Sequence, residues 1–337
     1  MKWDVAGMGN ALMDALAVVD DTSLIAELGL QRGVMQLVDH DRWMAIYEVV
    51  RQQRDPEFHS GGSCANTIAA IGWLGGRAIY HGQVGDDQMG HLYGRLLSNA
   101  CGAHALRFTR EAATGKCLAL ISAIDAERTM CTDLGAAVSL PDFEGFRSEL
   151  ASATIGHFEG YALFGEGFRR AVIGAMEHVV ASGGKVSIDA SDPSVIRAVP
   201  ETFRDILERH ANICFLNEEE ATRLTSRDDP RAALREVARM GSLEVVVVKL
   251  GSRGSLVGSA GEVFEIPVRP VHAIDTTGAG DAYAGGFLYG LTRGWHPARC
   301  GQLASAIAGL TCAQIGAVVA DRPRLASLLD ELAVREL

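Results

Sequence analysis

The sequence predicts an α/β fold: a mostly parallel central sheet covered by helices on both faces, with a small β-rich cap beside it. Two observations carry this expectation. Short apolar runs of strand length recur along the chain, and helix-length stretches separate many of them. Two other regions break that alternation and carry turn signals instead. With 337 residues and 48% apolar content, there is enough material to fill a sizeable core.

The strand-like runs are "WDVAGMG" (3–9), "AIYHGQVG" (78–85), "ATIGHFEG" (153–160), "KVSIDAS" (185–191), "NICFLN" (212–217) and "EVVVVKLG" (244–251). They read as strands buried on both faces, as a parallel sheet under two helix layers requires. Helix-length stretches lie at 62–75, 166–182, 201–210 and 228–240. The exceptions are 11–39 and 105–140, and the second of these reads as hairpins with turns near Thr114-Gly115 and Asp125-Ala126. These discontinuous segments are expected to form a lid over the strand ends. No internal repeat or low-complexity linker divides the chain, so 1–337 is expected to act as a single catalytic domain. The stretch 302–320 is uncharged, but Gln302, Ser305, Thr311 and Gln314 interrupt it, which favours a buried core helix over a membrane span.

A formal net charge of −11 supplies no basic field, so nucleic acid and acidic membrane surfaces are not expected partners. Any phosphate must be met locally. Seven scattered cysteines with no C-x-x-C pair fit a reducing compartment, and the strand-like start does not read as a secretory signal. A cytoplasmic location is the expectation.

Ligands of open α/β sheets gather outside the carboxyl ends of the strands, so polar residues just after apolar runs carry weight. Four stretches qualify. In "DTTGAGDAYAGGF" (275–287), Gly278, Ala279 and Gly280 can turn their backbone N–H groups toward one point at the positive end of a following helix, forming an anion hole. Asp281 in the first turn suits the removal of a proton from a hydroxyl that attacks phosphorus held there. The same acid would also serve as an ordinary helix cap.

In "NEEE" (217–220), Asn217 and Glu220 are spaced to hold Mg²⁺ directly or through water, and equally to form a capping box. "VKLGSRGS" (248–255) delivers Lys249, Gly251, Arg253 and Gly254 to a loop that either meets phosphates or is a common glycine turn. The fourth stretch is N-terminal, "GMGNALMD" (7–14) with "HSGGSCANTIAAIGWLGG" (59–76). Asn10, Asp14, Gly61, Gly62, Ser63 and Asn66 make a set suited to gripping vicinal hydroxyls of a sugar or ribose. A dinucleotide fingerprint is disfavoured, because its third glycine is Leu12 here.

With these stretches in order, the sequence resembles the ribokinase-like (PfkB) family of carbohydrate and nucleoside kinases over nearly its whole length. "DTTGAGDAYAGGF" is similar to that family's C-terminal signature, "GGSCANTIAAIGWLGG" with "GQVGDDQMG" to its N-terminal signature, and "NEEE" to its N-x-x-E element. The resemblance implies a three-layer α/β/α domain with a β lid, and homodimers that meet through the lid. It implies Asp281 as the catalytic base, Gly278 to Gly280 as the anion hole, and Asn217 with Glu220 as organisers of Mg²⁺ and the phosphates. Lys249 to Gly254 would border ATP, and Asp14, Gly61, Gly62 and Asn66 would bind the acceptor.

"GMGNALMD", "EGY" (159–161) and "ERTMCTDLGAA" (127–137) look most like the adenosine-kinase-like branch, with Ala11 where that branch has proline. The expected reaction is transfer of the γ-phosphate of ATP to a primary hydroxyl of an adenosine-like nucleoside. The alternatives are a sugar of ribose, fructose or 2-keto-3-deoxygluconate type and, from another class, a catalytically silent nucleotide-binding sensor. Arg128 on the lid side either reaches the transferred phosphate or packs within the lid. Asp275 either helps to form a monovalent-cation site, for an ion such as K⁺, or fixes its turn.

Overall fold

The protein is described by a computed structural model that covers residues 2–20, 23–125, 127–317 and 322–334, with the side chains of 322–324 and 332–334 left aside. In chain order the strands are β1 (Trp3–Met8), β2 (Leu12–Val19), β3 (Met35–Leu37), β4 (Glu57–Gly61), β5 (Ala78–His81), β6 (Gln83–Gly85), β7 (Arg107–Thr109), β8 (Gly115–Ser122) and β9 (Arg128–Asp133). There follow β10 (Ala153–Glu159), β11 (Lys185–Asp189), β12 (Ile213–Asn217), β13 (Val245–Lys249), β14 (Ser255–Ser259) and β15 (Glu262–Ile266).

The large sheet runs β15-β14-β13-β12-β11-β10-β1-β5. It is parallel from β5 to β13 and antiparallel only at β14 and β15. The valine run of β13 shows why these strands read as continuously apolar. Val246 and Val248 join one core cluster, while Val245 and Val247 join the cluster on the other face. The first cluster takes in helices Glu166–Ala181 and Pro200–Arg209, and the second takes in Ser63–Trp73 and Ala279–Thr292. The α/β class with helices on both sides is therefore as the sequence predicted.

A second sheet has the order β3-β9-β8-β2-β4. Four of its strands come from the two segments that broke the alternation, and the fifth, β4, comes from Glu57–Gly61. The helix His40–Gln53 covers its outer face, burying Trp43, Ile46 and Val50 against Leu118, Leu120 and Cys131. Neither β4 nor this helix was anticipated. The polar "EFHSG" of β4 lacks an apolar run, and its edge position explains why it needs none.

Two local expectations need correction. The run 78–85 is two strands, parted at Gly82, where a Cβ would come within 2.7 Å of the Tyr80 hydroxyl and 2.9 Å of the Gly9 carbonyl. Thr114-Gly115 is not a hairpin turn, because β7 pairs in parallel with β6 as a separate small sheet. The hairpin joining β8 and β9 does form around Asp125, while Ala126 lies outside the described residues. The stretch beginning at 302 lies largely in the buried helix Pro297–Cys312, with 318–320 outside the described residues. No helix among the described residues is long and apolar enough to cross a membrane.

Candidate active site

The site gathers at the carboxyl edge of the large sheet, where β10, β11, β12 and β13 end in Glu159, Asp189, Asn217 and Lys249. Against them lies the N-terminus of the helix Ala279–Thr292. Its cap, Gly278, has φ +68° and offers no side-chain hydrogen bond to the first amides. Glycine is required there, since a Cβ would sit 2.4 Å from the Ala317 Cβ in a left-handed conformation. The helix thus presents its amides and positive end to whatever approaches.

Asp281 does not use its side chain as a cap. Its Oδ1 accepts from the Ser63 hydroxyl at 2.7 Å and its Oδ2 from Asn66 Nδ2 at 2.9 Å, while Thr67 donates to its carbonyl at 3.2 Å. All three donors lie on the helix Ser63–Trp73, so the two helix N-termini meet at this carboxylate. Burial raises the Asp281 pKa; the Asn66 and Ser63 hydrogen bonds draw it down, Asp189 raises it and Lys249 lowers it. A carboxylate held in this way gains proton affinity without losing its orientation.

Lys249 Nζ lies 3.1 Å from where a Gly280 Cβ would be and donates to Asp189 Oδ2 at 2.7 Å. Burial opposes its charge, yet Asp189 and Glu220 outweigh that and raise its pKa. A fixed cation therefore stands beside the glycine turn. Gly251 and Gly254 take φ +60° and +91° in the loop after β13, and Gly251 faces open space. Arg253 pairs with Glu218 at the start of the helix that Asn217 caps.

Asn217 and Glu220 form a reciprocal capping box. The Glu220 amide donates to Asn217 Oδ1 at 2.8 Å, and Glu220 Oε2 and Oε1 accept from Asn217 N and Nδ2 at 2.7 and 2.8 Å. With both carboxylate oxygens engaged and only 1% of the residue exposed, Glu220 does not fit direct ligation of a metal. No group of three potential ligands able to hold an ion occurs among the described residues. The cluster fits an ion that arrives on nucleotide phosphates and keeps most of its waters, as Mg²⁺ commonly does.

On the second sheet, Asp14 of β2 faces the same space. Its carboxylate lies 2.0 to 2.5 Å from a Cβ placed on Gly61, which only glycine avoids. Gly62, at φ +98°, likewise lets the Asn10 carbonyl approach to 2.1 Å of the Cβ position. Burial, with Asp281 adding repulsion, raises the Asp14 pKa to about 7. Arg128 of β9 donates to the Thr277 hydroxyl at 3.0 Å, so it bridges the second sheet to the loop before Gly278. Asp275 is fully buried and ties that loop, accepting from Thr277 N at 2.8 Å and Gly316 N at 3.0 Å.

Three contributors were missed. Glu159 accepts from Asn10 N and Cys64 N, both at 2.7 Å, locking the end of β1 to the start of the Ser63 helix, and burial lifts its pKa to about 7. Asp189 orients Lys249, and Thr67 holds the Asp281 backbone. The signal for the first two was present: each is an acid at the last position of an apolar run.

A cation beside an uncapped glycine turn, and an acid held by side chains of a second helix, define a phosphotransferase that acts on a hydroxyl group. The family of carbohydrate kinases described as pfkB matches residues 33–323, and the chain belongs to it. It is an ATP-dependent kinase with an alcohol acceptor, a sugar or a nucleoside. The chain is 29% identical to adenosine kinase of Saccharomyces cerevisiae, over 85% of its own length and 88% of that protein. It is 29% identical to a fructokinase of Klebsiella pneumoniae over 68% and 76% of the two chains. Adenosine kinase from Sinorhizobium meliloti superposes with a TM-score of 0.89 and 31% identity, covering 98% of this chain and 99% of that one.

Proposed function

We propose that the protein transfers the γ-phosphate of ATP to the primary hydroxyl of a nucleoside of adenosine type, with Asp281 as the base. The observation that carries the chemistry is the double hydrogen bond from Ser63 and Asn66 to Asp281, which aims a carboxylate across the glycine turn rather than along it. The nucleotide lies along the loops after β12 and β13, its terminal phosphates against the 278–280 amides and Lys249. Asp281 takes the hydroxyl proton as the oxygen attacks in line, and the amides and Lys249 stabilise the charge that spreads over the transferred group.

Magnesium bound to the phosphates supplies the positive charge that a site holding Asp14, Glu159, Asp189, Glu220 and Asp281 lacks. The capping box of Asn217 and Glu220 would border that ion without ligating it, and Glu220 and Asp189 keep Lys249 charged. Asp275 fixes its loop, and no monovalent ion is needed for that role.

The acceptor rests against the five-stranded second sheet, which acts as the lid. Asp14 accepts hydrogen bonds from two hydroxyls, and the buried carboxamide oxygens of Asn10 and Asn66, which have no hydrogen-bond partner among the described residues, accept others directly or through water. Farther along, the same face is apolar: Leu16, Ala119 and Ile121 pack with Val18 and Met130. An apolar shelf beyond a hydroxyl-gripping acid favours a planar base over a polyol. Arg128 holds this lid to the Thr277 loop and sits beside the transferred phosphate. Exposed Leu37 and Ile124 on the lid support its use between two copies, which molar mass by light scattering tests.

The decisive experiment is an ADP-release screen over adenosine, inosine, guanosine, ribose, fructose and 2-keto-3-deoxygluconate, with mass detection of the product. Phosphorylation of adenosine at least tenfold faster, in kcat/KM, than of any sugar supports the reading. Preference for ribose, fructose or the ketogluconate overturns the nucleoside assignment and leaves the kinase chemistry standing.

A further inference from the structure

Away from this site, on the outer layer of helices, an open cleft of about 490 Å³ lies between the helices Pro193–Ala198, Pro200–Arg209 and Glu218–Thr225. Its lining combines Arg197, Arg204 and Arg223 with Thr222 and Ser226, over a floor that includes Ile196 and Leu224. Three guanidinium groups around one cleft are unexpected in a chain of net charge −11.

The commitments of these arginines differ. Arg223 donates from both Nε and Nη2 to Glu219 one turn back, at 3.0 and 2.8 Å, on the exposed side, which leaves its Nη1 for the cleft that it lines. Arg204 donates to the Leu224 carbonyl at 2.9 Å, which neutralises the negative end of the Asn217-capped helix that would otherwise repel an anion. Arg197 has neither an ion pair nor a side-chain hydrogen bond among the described residues. The ten-residue helix Pro200–Arg209 also begins here. Its cap, Val199, supplies no side-chain hydrogen bond, but its first residue, Pro200, has no N–H and Glu201 in the same turn partly offsets its positive end, so the arginines carry the site.

We propose that this cleft is a second ligand site, which binds a small phosphate monoester. Arginines in this arrangement can grip the phosphate by paired N–H donors, with the Thr222 and Ser226 hydroxyls as further donors. The apolar floor of Ile196 and Leu224 accommodates the organic part, and the open mouth leaves the rest of the ligand in water. The site is separate from the chemistry: it lies at the far end of the eight-residue helix whose first turn carries Glu220, roughly 12 Å along its axis.

Calorimetric titration of the full chain with ribose 5-phosphate tests this. Comparison is with Arg197→Glu, which removes no internal partner, and with the double variant Arg197→Ala/Arg204→Ala. Asp281→Asn serves as the active-site control. The expected result is one binding event weakened at least tenfold in both arginine variants and retained in Asp281→Asn, with ATP turnover of Arg197→Glu unchanged. An isotherm identical in wild type and Arg197→Glu overturns the proposal, as does binding that vanishes only in Asp281→Asn. Melting curves of the unliganded variants separate loss of binding from loss of fold.

Discussion

Two helices start at the same edge of the large sheet, each with an acid as the third residue after its cap: Gly278 with Asp281, and Asn217 with Glu220. On paper they are the same device. In the second, cap and acid satisfy one another completely, so the helix end is closed and its carboxylate acts on Lys249 only through space. In the first the cap is a glycine with no side chain to accept from the first amides, and the acid is drawn off by Ser63 and Asn66. That leaves the amides free for a phosphate and the acid free for a proton. If Asp281 is the base, what sets it apart from Glu220 is that another element has taken over its hydrogen bonds and its cap supplies none.

The contrast breaks most sharply at Asp281. Asp281→Asn preserves the size of the side chain while removing its proton affinity, and kcat should fall roughly a thousandfold or more while ATP binding and melting temperature stay near wild type. Single-turnover kinetics with calorimetry of ATP binding check this. Turnover within tenfold of wild type would return Asp281 to the status of an ordinary helix residue.

Next in size is Gly278→Val, which places a β-branched side chain at φ +68° and against Ala317. A strained, displaced turn should cost roughly a hundredfold in kcat/KM, together with about 2 kcal/mol of stability, read from denaturant midpoints. The matching change at the closed helix is smaller. Glu220→Gln sets its new NH₂ group against the Asn217 donors, so a loss of about 1 kcal/mol and less than tenfold in turnover is expected. Its pH dependence has a definite sign. Burial, with Asp189 adding to it, raises the folded pKa of Glu220 from 4.5 to about 7. Its contribution to stability is therefore complete below pH 4.5 and lost as pH climbs through about 7. The deficit of Glu220→Gln relative to wild type should narrow across that interval in urea titrations at fixed ionic strength.

Much of this was legible in the chain. The apolar runs located β1 and β10 to β13 because a strand buried on both faces has no polar alternation to hide it. The glycines around Asp281 announced the turn. The partners of Asp281 were harder, since Ser63 and Asn66 are a suitable pair for sugar hydroxyls and nothing local says that their donors meet an acid 218 and 215 residues away. Glu159 and Asp189 were readable as strand-end acids, yet their partners come from other strands and helices. The edge strand β4 was hidden for the opposite reason, because an exposed edge does not need the pattern that betrays a core strand.

The smallest effect sharpens the comparison furthest. Ser63→Ala leaves Asp281 with the Asn66 bond alone, and since the Ser63 hydroxyl helps to hold the Asp281 pKa down against burial, its loss must raise that pKa further. Catalysis needs the ionised acid, so the acid limb of the kcat profile should move to higher pH. The loss of turnover, roughly three- to tenfold at the low end, should then shrink as pH rises and the base ionises again. A purely structural serine predicts the same fractional loss at every pH, because weakened packing does not titrate. A full profile of wild type and Ser63→Ala, with an exposed-serine substitution such as Ser148→Ala as reference, separates the two. A parallel downward shift with no movement of the limb would mean that Asp281 is held by the Ser63 helix but not tuned by it.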